Sequence, residues 1–298
     1  MEISNAVVVG VDGSPSSLTA TEQAAEEASL HGVGLHVVHA LTWPAVPIGT
    51  GTLAYEPAEE ALHSMAERFL ADAVSRARTA APDIEITSGI VPGEPLSVLV
   101  EMSHSALMVA VGSRGLGSFT GLLLGSVAVH VAAHAHCPVL VSRGTPGPSG
   151  GVVLGVDGSA AGRPAAAFAF AEASLREAEL TAAHVWSEWS VPPSPPPDKS
   201  MAYAKKPGTL HADEERLLAE SLSGWCEKYP DVHVERHTVR GRTREGLIDV
   251  SEGARLLVVG TRGRGGFAGM LLGSVSQAAL HHAHCPVVVV PKEDRPPQ

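Results

Sequence analysis

Residues 109–126 read VAVGSRGLGSFTGLLLGS, and residues 257–274 read LVVGTRGRGGFAGMLLGS. Eleven of the eighteen aligned positions are identical. Each copy starts as an apolar run, ends that run on a glycine, and reaches Gly-Ser thirteen residues later by the pattern Gly-x2-Gly-x9-Gly-Ser. The repetition extends outward. AVVVGVDGS at 6–14 returns as GVVLGVDGS at 151–159, and AHCPV at 135–139 returns at 283–287. Self-similarity in one order along the chain signals a duplicated unit. The seam RGTPGPSGG at 143–151 is rich in Gly and Pro and has no hydrophobic period, so it reads as a linker between a first domain over 1–146 and a second over 150–298.

Within each half, short apolar runs alternate with helical stretches. Ala6–Val11, Leu35–Ala40, Ile84–Val91, Leu107–Val111 and Val139–Val141 read as strands, with helices near 15–30, 58–80, 95–104 and 126–134 between them. Val152–Val156, Leu180–Val185, Val232–Val239, Leu256–Val259 and Val287–Val290 repeat the series. The runs are nearly continuous rather than alternating, as expected of strands covered on both faces. Ser14 and Pro15 suit the N-cap and first position of a helix. Five strands alternating with helices, joined by right-handed crossovers, predict an α/β chain of two tandem doubly wound five-stranded parallel-sheet domains, Rossmann-like in plan.

The composition allows this and excludes other classes. The chain has 298 residues, 44% hydrophobic and 18% charged, with a formal net charge of −11. A phosphate backbone would be repelled by most of such a surface, so nucleic acid is not an expected partner. A small anion held by backbone N–H groups needs no net positive charge. Aromatic residues are only 4%, so Ala and Val must fill much of the core. Three cysteines make no disulfide framework. The N-terminus has no basic-then-apolar leader, and no apolar run reaches bilayer length, so the expectation is a cytoplasmic protein without membrane contact.

Gly112 and Gly260 close the fourth strand of each half, where ligands of open α/β sheets bind. Gly115, Gly125 and Ser126, with Gly263, Gly273 and Ser274, lead into the next helix start, whose N–H groups and partial positive charge favour an anion. Glycines let backbone approach phosphate oxygens closely. Arg114 and Arg262 stand inside the loop and can pair with phosphate. No Gly-Lys-Ser/Thr follows, so this is not a Walker-type loop, and it does not follow a first strand, as a dinucleotide fingerprint would. Asp12 and Asp157 lie just past the first strand of each half. A carboxylate would be repelled by phosphates, so both are assigned to the base or ribose end. Gly10 and Gly155, two residues earlier on the same strand face, leave room there for a flat ring. The candidate set is completed by Ser113, Gly117 and Val127, and by Thr261, Gly265 and Val275.

The combination resembles the ATP-binding class of universal stress proteins in tandem two-domain form, over about Asn5 to Pro291. The resemblance implies ATP as cofactor, with Mg2+ carried in on its phosphates. It implies adenine contacts from Asp12, Asp157 and the main chain at Ala40 and Val185, phosphate and ribose contacts from both glycine loops, and roles in stress survival or growth arrest. On this reading the chain is a regulatory nucleotide-binding module. The alternative is a slow ATPase or adenylyl-transfer enzyme, disfavoured because no general base is evident beside the loop. Both copies keep every motif glycine and serine, so neither site reads as degenerate.

Other signals are set aside. HVAAHAHC at 130–137 and HHAHC at 281–285 offer zinc donors, but His134 ends a helix and Cys137 enters a strand, so their side chains need not converge. Cys137 and Cys285 precede proline in apolar surroundings and read as packed side chains rather than nucleophiles. GPSGG at 147–151 matches a nucleophile elbow only in spacing. The proline-dense stretch 191–208, opposite WPAVPIGTGTLAYEP in the first half, reads either as a surface loop or as a flap over a ligand. The last strands, PVLVS and PVVVVP, are uncharged edges that are expected to cover each other, and a homodimer and a further protein partner stay open. Leu140→Lys and Val288→Lys test that pairing. Each is expected to cost about 3–5 kcal/mol by burying an unpaired charge, and unchanged melting and compactness in both would place the association elsewhere.

Overall fold

The computed structural model describes residues 5–42, 55–115, 124–145, 147, 150–187, 209–263 and 271–292. The chain divides into two compact units, Met1–Arg143 and Gly144–Gln298.

In the first unit the strands are β1 (Val7–Gly10), β2 (Leu35–Leu41), β3 (Ile86–Pro92), β4 (Met108–Gly112) and β5 (Val139–Ser142). The helices are α1 (Pro15–His31), α2 (Tyr55–Ala80), α3 (Pro95–Met102) and α4 (Ser126–His134). All pairings are parallel, in the order β3-β2-β1-β4-β5. Val9 lies between Val37 of β2 and Ala110 of β4. The chain winds outward from β1 in one direction, then returns and winds in the other, so the crevice at the carboxyl ends of β1 and β4 is the switch point.

Val7, Val8 and Val9 have no exposed surface, because α1 covers one face of the sheet and α3 the other. Burying each valine is worth about 1.5–3 kcal/mol. Ser14 caps α1, accepting from Ser17 N–H at 3.2 Å, with Pro15 in the first turn, as the sequence predicts. Ala20, Ala24 and Ala28 recur every fourth residue along α1 and are fully buried, so the helix lies close against the sheet. This is the core of small side chains that the low aromatic content requires. Helix α2 begins at Tyr55, three residues before the predicted start.

The second unit repeats the plan with β6 (Val152–Gly155), β7 (Leu180–Trp186), β8 (Val234–Arg240), β9 (Leu256–Gly260) and β10 (Val287–Val290), ordered β8-β7-β6-β9-β10. Its helices are α5 (Arg163–Leu175), α6 (Thr209–Leu222), the single turn α7 (Trp225–Lys228), α8 (Thr243–Val250) and α9 (Ser274–His282). One local difference matters later. A 3-10 turn over Ala160–Gly162 precedes α5, whereas α1 starts directly after its cap. Pro164 has no N–H to donate back into a preceding α-turn, so the α-helix starts only at Arg163, with the proline in its first turn.

The glycine-rich seam is not slack. Thr145 N–H donates to the His284 carbonyl at 3.1 Å, Gly147 N–H to Ala254 at 3.1 Å, and Arg255 N–H to Gly151 at 3.0 Å. Among the described residues, no helix is long and apolar enough to cross a membrane. The stretch 188–208, including its proline-dense part, and Gly117 and Gly265 lie outside the described residues.

Candidate functional site

At the first switch point a cavity of about 410 Å³ opens between the strand ends and α3 and α4. Gly10, Asp12, Ala40, Gly112, Arg114, Gly115, Gly125, Ser126 and Val127 line it. Four separate segments of chain thus bring their predicted residues to one concave surface. Ser113 is buried at the root of the loop, where its carbonyl accepts from Gly125 N–H at 2.8 Å. That bond closes the loop across its base, and Gly273 N–H to Thr261 O, also 2.8 Å, does the same in the second unit.

Helix α4 starts at Ser126, as the sequence predicts, and its N-cap, Gly125, has no side chain to cap with. Gly273 stands likewise before α9. The first N–H groups of α4 are therefore left without a side-chain acceptor at the cavity wall, which suits an incoming anion.

Asp12 takes a more structural position than its predicted role requires. Its Oδ1 accepts from Ser14 N–H at 3.0 Å, and a Cβ on Gly115 would come within 2.6 Å of its Oδ2. Asp157 repeats this, with Ser159 N–H at 2.9 Å and its other oxygen against Gly263. The side chain braces the strand turn against the glycine loop while presenting its edge to the cavity. The space beside Gly10 is not left for a ring: Leu99 fills it, with Cδ1 2.9 Å from where a Cβ would sit, and Leu247 fills the space at Gly155.

One contributor escaped the sequence reading. His39 lines the cavity, and its Nδ1 lies 2.8 Å from the Val11 carbonyl, tying the end of β2 to the turn that carries Asp12. His184 repeats the contact to Val156 at 2.7 Å. The repeated histidine before Ala40 and Val185 was the available signal. Arg143, directly after β5, has its pKa lowered, first by burial and then by the charge of Arg114. No motif marks it, because Pro291 stands at the corresponding place in the second copy.

In the second unit, Gly155, Asp157, Thr261, Gly263 and Gly273 keep these local contacts, Gly260 ends β9, and Ser274 and Val275 open α9. Val185 is buried, in a space that Gly246 leaves open for it. The cavity of about 450 Å³ beside Asp157 is lined by the end of β6, the turn after it and residues of α5, α6 and α7, and, among the described residues, by none of the glycine loop.

Of the signals set aside, His136 stacks on His104 with centroids 3.7 Å apart, and Cys137 is buried. Burial pushes the Cys137 thiol up to about 12 and Cys285 to about 11, while Cys226 is exposed. Both buried groups stay protonated through neutral pH. Native protein treated with iodoacetamide at pH 7.5 is expected to gain one adduct, at Cys226, and three after denaturation; rapid native labelling of Cys137 or Cys285 would refute this.

A tandem pair of doubly wound sheets, each with a self-closed glycine loop and an uncapped helix start at its switch point, defines a class of α/β protein built to present backbone N–H groups at a crevice. The chain belongs to the universal stress protein family, whose family model matches residues 4–143 and again 151–291. It is similar to Universal stress protein Rv2623 of Mycobacterium tuberculosis, 39% identical over 297 residues and covering 95% of each chain. It is similar also to Universal stress protein Rv2005c of that organism, 40% identical over 296 residues, covering 95% of this chain and 96% of the relative. Among solved structures, a universal stress protein from Archaeoglobus fulgidus shares the fold with TM-score 0.69 at 21% identity, covering 97% of each chain.

Proposed function

We propose that the chain binds adenine nucleotide, ATP with Mg2+, through its two glycine loops, and serves as a regulatory module in stress response or growth arrest. One observation carries the reading: around the first cavity, the residues assigned to base, ribose and phosphate converge on one wall of about the size a nucleotide needs. The expected seating places phosphates over the Gly112–Gly115 turn and the start of α4, and the base toward Ala40. Arg114 at the rim supplies the cation that an otherwise acidic surface lacks. A regulatory rather than catalytic role is supported by Asp12. It is the carboxylate among the cavity's lining residues, and its position against Ser14 N–H and Gly115 leaves it a brace rather than a base poised over a water.

The test is to denature freshly purified protein, identify released nucleotide by mass spectrometry, and titrate stripped protein with ATP by calorimetry. Up to two equivalents of adenine nucleotide are expected. No released nucleotide together with no heat of ATP binding would defeat the reading. ADP or AMP appearing at many turnovers per minute would move the assignment to the enzymatic alternative.

A further inference from the structure

We infer that the two nucleotide sites are unequal: the first is held ready for a polyphosphate tail, whereas the second lacks that hold and distinguishes ATP from AMP poorly. The inference rests on the nucleotide reading above and goes beyond it, because every motif residue is present in both copies. The difference lies beside the motifs, where Ser14-Pro15-Ser16-Ser17 in the first unit corresponds in sequence to Ser159-Ala160-Ala161-Gly162 in the second.

In the first unit these serines clasp the glycine loop. Ser14 Oγ donates to the Arg114 carbonyl at 3.2 Å. Ser16 Oγ donates to the same carbonyl and accepts from Arg114 N–H at 3.2 Å. One hydroxyl thus engages both backbone polar groups of a single loop residue, a residue that lines the cavity. Arg114 is thus held in place before any ligand arrives, so less ordering of that residue remains to oppose binding.

The second unit has no such clasp among its described residues. Ala161 and Gly162 carry no hydroxyl, and the 3-10 turn that Pro164 enforces replaces the first turn of the helix. Ser159 Oγ, the counterpart of the capping Ser14 Oγ, is buried without a hydrogen-bond partner. The root of the loop is held instead from the opposite side, where Ser276 Oγ on α9 donates to the Gly260 carbonyl at 2.6 Å. The first unit has Ala128 at that position.

Calorimetry of the stripped full-length chain with ATP and, separately, AMP tests this. Two classes of site are expected, with the ATP-over-AMP preference at the tighter site exceeding that at the weaker by about tenfold. Ser16→Ala should lower ATP affinity at the tighter class by about tenfold, change AMP affinity less, and leave the weaker class unmoved. A thermal melt of each variant establishes that the unit is still folded. Ala161→Ser at the weaker class serves as the converse control. Two indistinguishable sites with the same ATP-over-AMP ratio, or a Ser16→Ala change that falls on the weaker class, overturns the inequality while leaving nucleotide binding intact. Absence of heat with both nucleotides overturns the underlying reading instead, and this one with it.

Discussion

Gly144→Ala is expected to lower the stability of the second unit by about 3 kcal/mol or more, although the residue sits in a seam that looks like an ordinary linker. Two separate costs meet there. Gly144 has φ 56°, in the left-handed region where a Cβ costs about 1–2 kcal/mol. A Cβ would also run into the His284 carbonyl and stand 2.8 Å from Cys285 N. Forced overpacking costs typically about 1–3 kcal/mol, and here the obstacle is backbone that cannot rotate aside. Thr145 donates to that same carbonyl, so any retreat of the chain also strains a hydrogen bond. Gly241→Ala is the control: no atom lies within 4 Å of its would-be Cβ, and a change within about 0.5 kcal/mol is expected. Chemical denaturation compares the two. Equal midpoints would show that the seam is a tether with no packing role.

The second large effect separates two glycines that occupy the same motif position. Gly112→Ala is expected to cost about 1–3 kcal/mol and to loosen the serine clasp, because the new Cβ would lie 2.6 Å from Ser16 Oγ and 2.8 Å from both Ser16 C and Ser17 N. Gly260→Ala should stay within about 0.5 kcal/mol of the parent, since its nearest neighbours would be Arg262 O at 3.5 Å and Ala161 O at 3.8 Å. The sequence reading assigns both glycines the same duty, keeping the phosphate path or unusual backbone angles clear. The structure does not support the second reason, as neither residue has positive φ. At Gly112 the first reason is joined by another: the glycine admits the start of α1. Matching urea midpoints for the two variants would refute the packing account.

Much of this site was legible in advance. Ser14 followed by Pro15 announces a helix start from local geometry alone, and the repeated Gly-x2-Gly-x9-Gly-Ser spacing places a loop at a strand end without reference to anything distant. The continuous valines of β1 and β10 betray strands covered on both faces. Other features depend on what lies opposite. The room beside Gly10 appears empty in a linear reading and is filled by Leu99, nearly ninety residues away. The seam 143–151 has the composition of a flexible tether, yet its backbone is pinned to the Ala254 and His284 carbonyls.

The sequence by itself determined the duplication, the alternation of strands and helices, the parallel doubly wound plan and the end of the sheet at which a ligand would sit. Each of these rests on periodicity, on turn chemistry or on chain order, which operate between near neighbours or follow from the handedness of the chain. Only the tertiary structure decided that the serines after Asp12 reach the backbone of Arg114, and that Gly112 but not Gly260 has a helix pressed against it. Those outcomes turn on a few tenths of an ångström between segments about a hundred residues apart, and a linear pattern carries no measure of that distance.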